Sequence, residues 1–207
     1  MDNKTQTIFA SNYLSEAKEI INQLDILAID KMTEILVELR RNQGRLFFIG
    51  VGGGAGHAGH AVNDFRKLVG IESYSPSDNV SELTARTNDE GWETTYAAWL
   101  EVSRLSSKDA IFVFSVGGGD LKANISPNIV RAVEYAKKMG SRIIGVLGRD
   151  GGYTATVADV SVIIPTVNSQ MVTPHTESFQ AVIWHLIVSD PRLQIASNKW
   201  ESIEVGK

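Results

Sequence analysis

The four histidines of the chain fall in two short stretches, His57 with His60 and His175 with His185. Helical positions four apart share a face, so His60 and Asp64 would present an imidazole and a carboxylate side by side. Glu177 and His185 stand eight apart, again on roughly one helical face. Two helices carrying such pairs could close an N₂O₂ site suited to zinc or another divalent transition metal. The 207 residues contain no cysteine. Disulfides, iron–sulfur clusters and thiolate zinc sites are therefore excluded, and a metal must rely on nitrogen and oxygen donors. Each histidine could instead be a hydrogen-bonded structural residue, and spacing alone leaves both readings open.

Two glycine-rich loops add a second kind of chemistry. Gly50-Val51-Gly52-Gly53-Gly54-Ala55-Gly56 stands between an apolar run and a helix-compatible stretch, where backbone amides can approach an anion. Its spacing does not fit the dinucleotide fingerprint and no convincing acidic partner follows about twenty residues on, which argues against a nicotinamide oxidoreductase. Ser115-Val116-Gly117-Gly118-Gly119-Asp120 follows a second apolar run. Ser126-Pro127 then opens a helix, Ser as N-cap and Pro at its first position. Loops at the carboxyl ends of parallel strands line one crevice, here suited to a phosphorylated or polyhydroxylated ligand. Its candidate contacts are Gly53, Gly54, Ser115, Gly117, Gly118, Gly119, Asp120, Lys122 and Ser126, with Asn88 and Asp89 offered to a sugar hydroxyl. Arg66-Lys67 reads as a solvated helix face, and Trp92, Trp99 and Trp184 read as packing groups. Gly148-Arg149-Asp150-Gly151-Gly152 reads as a loop whose aspartate caps a following turn.

These residues need a scaffold, and the apolar pattern supplies one. Runs at 46–49, 110–114, 143–147 and 160–164 are short and continuously apolar, as in parallel strands buried on both faces. Helix-compatible stretches lie at about 56–69, 92–105, 127–139 and 174–189, with a short helix at 79–88 and a loop or edge strand at 73–77. Strands alternating with helices predict an α/β layered domain. Two amphipathic helices come first, with stripes from Ile8 to Leu24 and from Ile26 to Leu39. Periodicity cannot say whether they pack on the domain or form an oligomer surface. The net charge of −4 gives no basic field for nucleic acid. The polar N-terminus lacks the apolar core of a signal peptide, and no run reaches membrane-span length. A soluble intracellular protein is expected.

As a set, FFIGVGGGAGHAGHAVNDF, LTARTNDEGWE, FSVGGGD with SPNIVRAVEYAKKMG, IIGVLGRDGG and ESFQAVIWHLI resemble the sugar-isomerase (SIS) domain proteins, and among them the sedoheptulose 7-phosphate (phosphoheptose) isomerases. The resemblance runs from the leading helices to about Ser189. It implies a three-layer sandwich with a five-stranded parallel sheet between helices, residues 1–44 as leading helices at the oligomer interface and 45–207 as the SIS domain. It also implies a cytoplasmic homotetramer without nucleic-acid or membrane partners. By resemblance His60, Asp64, Glu177 and His185 hold zinc, and Asp64 and His185 carry the proton transfers. The implied reaction is aldose–ketose isomerisation of sedoheptulose 7-phosphate to D-glycero-D-manno-heptose 7-phosphate. A sugar-phosphate-binding protein without activity, or an isomerase of another phosphosugar, is the alternative. The family serine is Gly54 here, and its Ser/Thr-rich second loop keeps only Ser115 before the glycines. Glycine amides and Lys122 would have to replace those hydroxyls.

Overall fold

Residues 3–202 are described in the computed structural model of the chain. Five parallel strands form one sheet in the order β2-β1-β3-β4-β5: β1 Leu46–Gly50, β2 Ser73–Tyr74, β3 Ala110–Ser115, β4 Arg142–Leu147 and β5 Val160–Ile163. Every residue of β1 and β3 is buried, because helices cover both faces of the sheet. That is why these strands read as unbroken apolar runs rather than as alternating ones.

One face carries α1 (Asn3–Gln23), α2 (Ile26–Arg41), α3 (Gly53–Asp64) and α8 (Val172–Val188). Their core joins Ile20, Met32, Leu36, Phe65 and Trp184 to Phe48, Phe112 and Phe114 of the sheet. The other face carries α4 (Val80–Asp89), α5 (Thr95–Val102), α6 (Pro127–Met139) and α7 (Gly152–Val157). Its core joins Tyr96, Leu100, Val133 and Ala136 to Phe47, Ile111 and Val113. A last short helix, α9, spans Lys199–Ser202.

Both leading helices pack on the domain and also present apolar side chains outward. Ile20, Ile29, Met32, Ile35 and Leu36 are buried, whereas Ile8, Phe9, Leu14, Ile21, Ile26 and Leu27 are exposed. Tyr13 of α1 stacks on His175 of α8 with ring centroids 4.4 Å apart. Glu16 accepts a hydrogen bond from Asn168 at 2.7 Å and pairs with His175 Nε2 at 2.7 Å. The His175 contact, followed by that of Asn168, holds the Glu16 carboxyl below the usual range.

At the amino ends of β1 and β3, Arg45 grips Asp109 with Nε at 3.2 Å and a terminal nitrogen at 2.9 Å. The Arg45 amide and the amide and hydroxyl of Ser106 also donate to this carboxylate. Burial pushes the Asp109 carboxyl up, but these donors outweigh it and hold the group below its ordinary value.

Two local features depart from the sequence reading. The helix after the first glycine loop begins earlier, at Gly53, and ends in a π-helical turn, Phe65–Val69, closed by Gly70 in the left-handed region at φ 72°. The stretch at 73–77, read as a loop or edge strand, does supply the edge strand, the two-residue β2. Ser126 is itself left-handed at φ 50°, ψ 53° and makes no side-chain capping bond. A side-chain N-cap requires an extended backbone, so only the expectation for Pro127 at the first helical position holds.

Candidate active site

Helices α3 and α8 lie side by side, pointing the same way. Glu177 packs against Gly53, Gln180 against His57, and Trp184 and His185 against Asp64. A polar seam thus runs from the carboxyl edge of the sheet down the outer layer.

At its far end His60, Asp64 and His185 converge, with candidate ligand atoms all within 4.8 Å of one another. Asp64 Oδ2 lies 3.5 Å from His60 Nε2 and 3.5 Å from His185 Nε2. A tetrahedral zinc with arms of about 2.0–2.1 Å separates its ligands by about 3.4 Å, and the two carboxylate–imidazole spacings are close to that value. The supporting contacts also fit. His185 Nδ1 donates to the Ala181 carbonyl at 2.8 Å. A carbonyl can only accept, so Nδ1 carries a proton, and in the neutral ring the lone pair is on Nε2, facing Asp64. Trp184 Nε1 donates to Asp64 Oδ2 at 3.2 Å, and Asn63 donates to Oδ1 at 3.0 Å. The carboxylate is buried, whereas His60 and His185 are about half exposed.

Glu177 is not in this cluster, which corrects the four-ligand expectation. Its carboxylate lies against Gly53, where an added Cβ would sit 2.5 Å from it. Eight residues at a rise of about 1.5 Å separate Glu177 and His185 by about 12 Å along α8, and the Glu177 side chain occupies the room left by the glycine.

Between the seam and the sheet edge lies a cavity of 260 Å³. Gly54, Ser115, Gly117 and Ser126 of the expected contacts line it, joined by Glu177, Gln180 and Arg149. The remaining expected contacts lie elsewhere. Gly118 and Gly119 are buried in the packing of loop on loop: the Gly118 amide donates to Ser115 Oγ at 3.0 Å, and their carbonyls accept from Thr154 and Tyr153. Those groups are spent holding the loop together. Asp120 and Lys122 are exposed on a small hairpin, where Asp120 caps the amides of Lys122 and Ala123. Asn88 and Asp89 are exposed on α4 and hydrogen bond to each other at 2.7 Å. Gly53 touches the site through Glu177. Gly54 is fixed by close approach, since an added Cβ would lie 2.5 Å from the Phe114 carbonyl oxygen.

Three residues beyond the sequence reading belong to the seam or cavity. Gln180 is wholly buried and donates to the Val146 carbonyl at 3.2 Å. Its own carbonyl is then left to accept from His57 Nδ1 at 3.0 Å, which leaves His57 Nε2 with the lone pair. Trp184 is a packing group, as expected, and also the Asp64 donor. Arg149 sits at φ 54° in a turn closed by Gly151 N to Gly148 O at 2.9 Å. The adjacent Gly148-Arg149-Asp150-Gly151 turn signal was the available clue.

Fold and site together define a doubly wound α/β protein with its ligand crevice where the strand order reverses, between β1 and β3. Residues 12–148 match the SIS domain model, and the chain belongs to the SIS domain family. A phosphoheptose isomerase of Nitratiruptor sp. is 32% identical over 75% of this chain and 80% of its own. The lincomycin biosynthesis protein LmbN of Streptomyces lincolnensis is 28% identical over 89% of this chain and 69% of its own. The solved phosphoheptose isomerase from Francisella tularensis shares the fold at a TM-score of 0.77 and 20% identity, covering 91% of this chain and 97% of that one.

Proposed function

We propose that the chain is a cytoplasmic, homotetrameric aldose–ketose isomerase that interconverts sedoheptulose 7-phosphate and D-glycero-D-manno-heptose 7-phosphate. The observation that carries this reading is the convergence of His60, Asp64 and His185 on one polar seam that leads to the cavity between the glycine loops. The names of the sequence relatives support a phosphosugar as substrate. The outward apolar residues of α1 and α2 support assembly.

His60, Asp64 and His185 are the residues that would hold zinc. Bound zinc polarises neighbouring carbonyl and hydroxyl oxygens. Asp64 and His185 carry the protons: one group removes the proton from C1 of the open ketose, a proton returns at C2, and the O1 hydroxyl proton passes to O2 as the carbonyl shifts to C1, giving the aldose. Asp64 accepts hydrogen bonds on both oxygens and is thereby oriented. His185 has a fixed tautomer and solvent access. Gln180 and Glu177 line the cavity end of the seam and would meet the sugar hydroxyls.

Incubation of zinc-loaded protein with sedoheptulose 7-phosphate in deuterium oxide tests this. Heptose 7-phosphate labelled at C2 is expected, and absence of any aldose product refutes the reading.

A further inference from the structure

The cavity between the glycine loops has one cationic and one anionic lining residue, and they stand over different loops. The Glu177 carboxylate rests on Gly53 of the first, and the Arg149 stem passes Gly117 of the second. Arg149 is exposed and its charge acts on the nearby Asp120 carboxylate, but among the described residues its guanidinium makes no hydrogen bond or ion pair. Its backbone is left-handed at φ 54°, a conformation that disfavours side chains with a Cβ. The turn is anchored by Gly148 N to Ser115 O at 3.3 Å and by Asp150 Oδ1, which accepts from Gly152 N at 3.1 Å.

In the second loop the Gly118 amide is already bound to Ser115 Oγ. Beside Arg149, however, the cavity meets the start of the 13-residue helix α6, whose dipole favours negative charge although Pro127 has no N–H and the Ile129 and Val130 amides already donate to the Ser126 carbonyl. The Ser126 hydroxyl makes no capping bond there. A phosphate monoester carries close to two negative charges near neutral pH, and Glu177 repels it from the first loop.

We propose that Arg149 is the anion anchor of this cavity, holding the phosphate monoester of a sugar ligand against Ser126 and the first turn of α6. A guanidinium suits this task because its fork matches phosphate oxygens two at a time. The anchor rests on the phosphosugar reading and fixes the direction of the ligand: phosphate at the second loop, reacting carbons toward Gln180 and the seam.

Calorimetric titration of the full chain tests it, using sedoheptulose 7-phosphate, inorganic phosphate and unphosphorylated sedoheptulose. Arg149→Gly suits the left-handed backbone and removes the cation. It should melt no lower than wild type and bind sedoheptulose 7-phosphate about ten- to a hundredfold more weakly, the range for a lost charged hydrogen bond. Arg149→Lys should recover part of that loss. Lys138→Ala, at the opposite end of α6, should stay within twofold of wild type. Inorganic phosphate should compete in wild type and fail to do so in Arg149→Gly.

Arg149→Gly within twofold of wild type overturns the proposal. So does a wild type that binds the phosphorylated sugar no more tightly than the unphosphorylated one. Binding through Arg149 without aldose formation would sink the isomerase reading and leave the anchor standing.

Discussion

Two glycines in the first turns of α3 should respond to the same substitution with opposite signs. An alanine in place of Gly56 meets nothing within 4 Å. It should gain about 0.4–1 kcal/mol, through the reduced entropy of the unfolded chain and better helix propensity. An alanine at Gly54 would place its Cβ 2.5 Å from the Phe114 carbonyl oxygen, roughly 0.9 Å inside ordinary contact. The obstruction is backbone of a central strand, which cannot rotate away. Overpacking of this kind costs about 1–3 kcal/mol, so after the helix gain the net loss is about 1–2 kcal/mol. For a chain of this size each kcal/mol moves the melting temperature by about 2–4 °C. Gly54→Ala should therefore melt about 2–8 °C below wild type, and Gly56→Ala about 1–4 °C above it. Scanning calorimetry at matched protein concentration reads both. If Gly54→Ala melts at or above wild type, α3 does not press on β3 as described, and the narrow end of the cavity is wrongly drawn.

Equilibrium dialysis against zinc should separate two carboxylates: Asp64→Asn loses stoichiometric metal, whereas Glu177→Gln retains it, because only Asp64 faces both imidazoles. Steady-state assay of His185→Ala should show turnover lowered about 10²–10⁴-fold, the usual contribution of an acid/base group. Asp109 titrates below its ordinary value in the folded chain, so its contribution is full above about pH 3.9 and fades as pH falls through the lower folded value. Asp109→Asn should cost about 2–4 kcal/mol in urea titrations at neutral pH, less than a fully buried pair because Arg45 is partly exposed, with the gap to wild type closing in acid. Light scattering at micromolar concentration should give a tetramer mass, and a monomer mass would contradict the role given to the outward faces of α1 and α2.

The strands were legible because both faces of the sheet are covered, so burial is written into every residue of β1 and β3. The pairing of His60 with Asp64 was legible for a similar reason, since four residues along a helix fix a shared face. Spacing carried less for Glu177. It placed the residue on the right side of α8 but could not say how far its side chain reaches, and the space beside Gly53 decides that. The second glycine loop looked like a row of donors, yet Ser115 Oγ takes the Gly118 amide, and Thr154 and Tyr153 tie down the Gly118 and Gly119 carbonyls. Arg149 carried no periodic signal, because a turn brings it to the cavity. The left-handed backbone of Ser126 was equally hidden behind a sequence that fits an ordinary cap.

The fastening of α1 to α8 has a consequence for truncation. Tyr13 covers the ring of His175, and Glu16 ties both that ring and Asn168. A chain begun at Ile26 would strip these partners from the first turn of the helix that later carries Glu177, Gln180, Trp184 and His185. His175 already has one buried ring nitrogen without a partner. Losing Glu16 would leave the other nitrogen open to water and loosen the turn that positions the seam. The first helix is therefore a brace for the start of α8, and trimming it to reach a smaller catalytic core would erode the site from its cavity end.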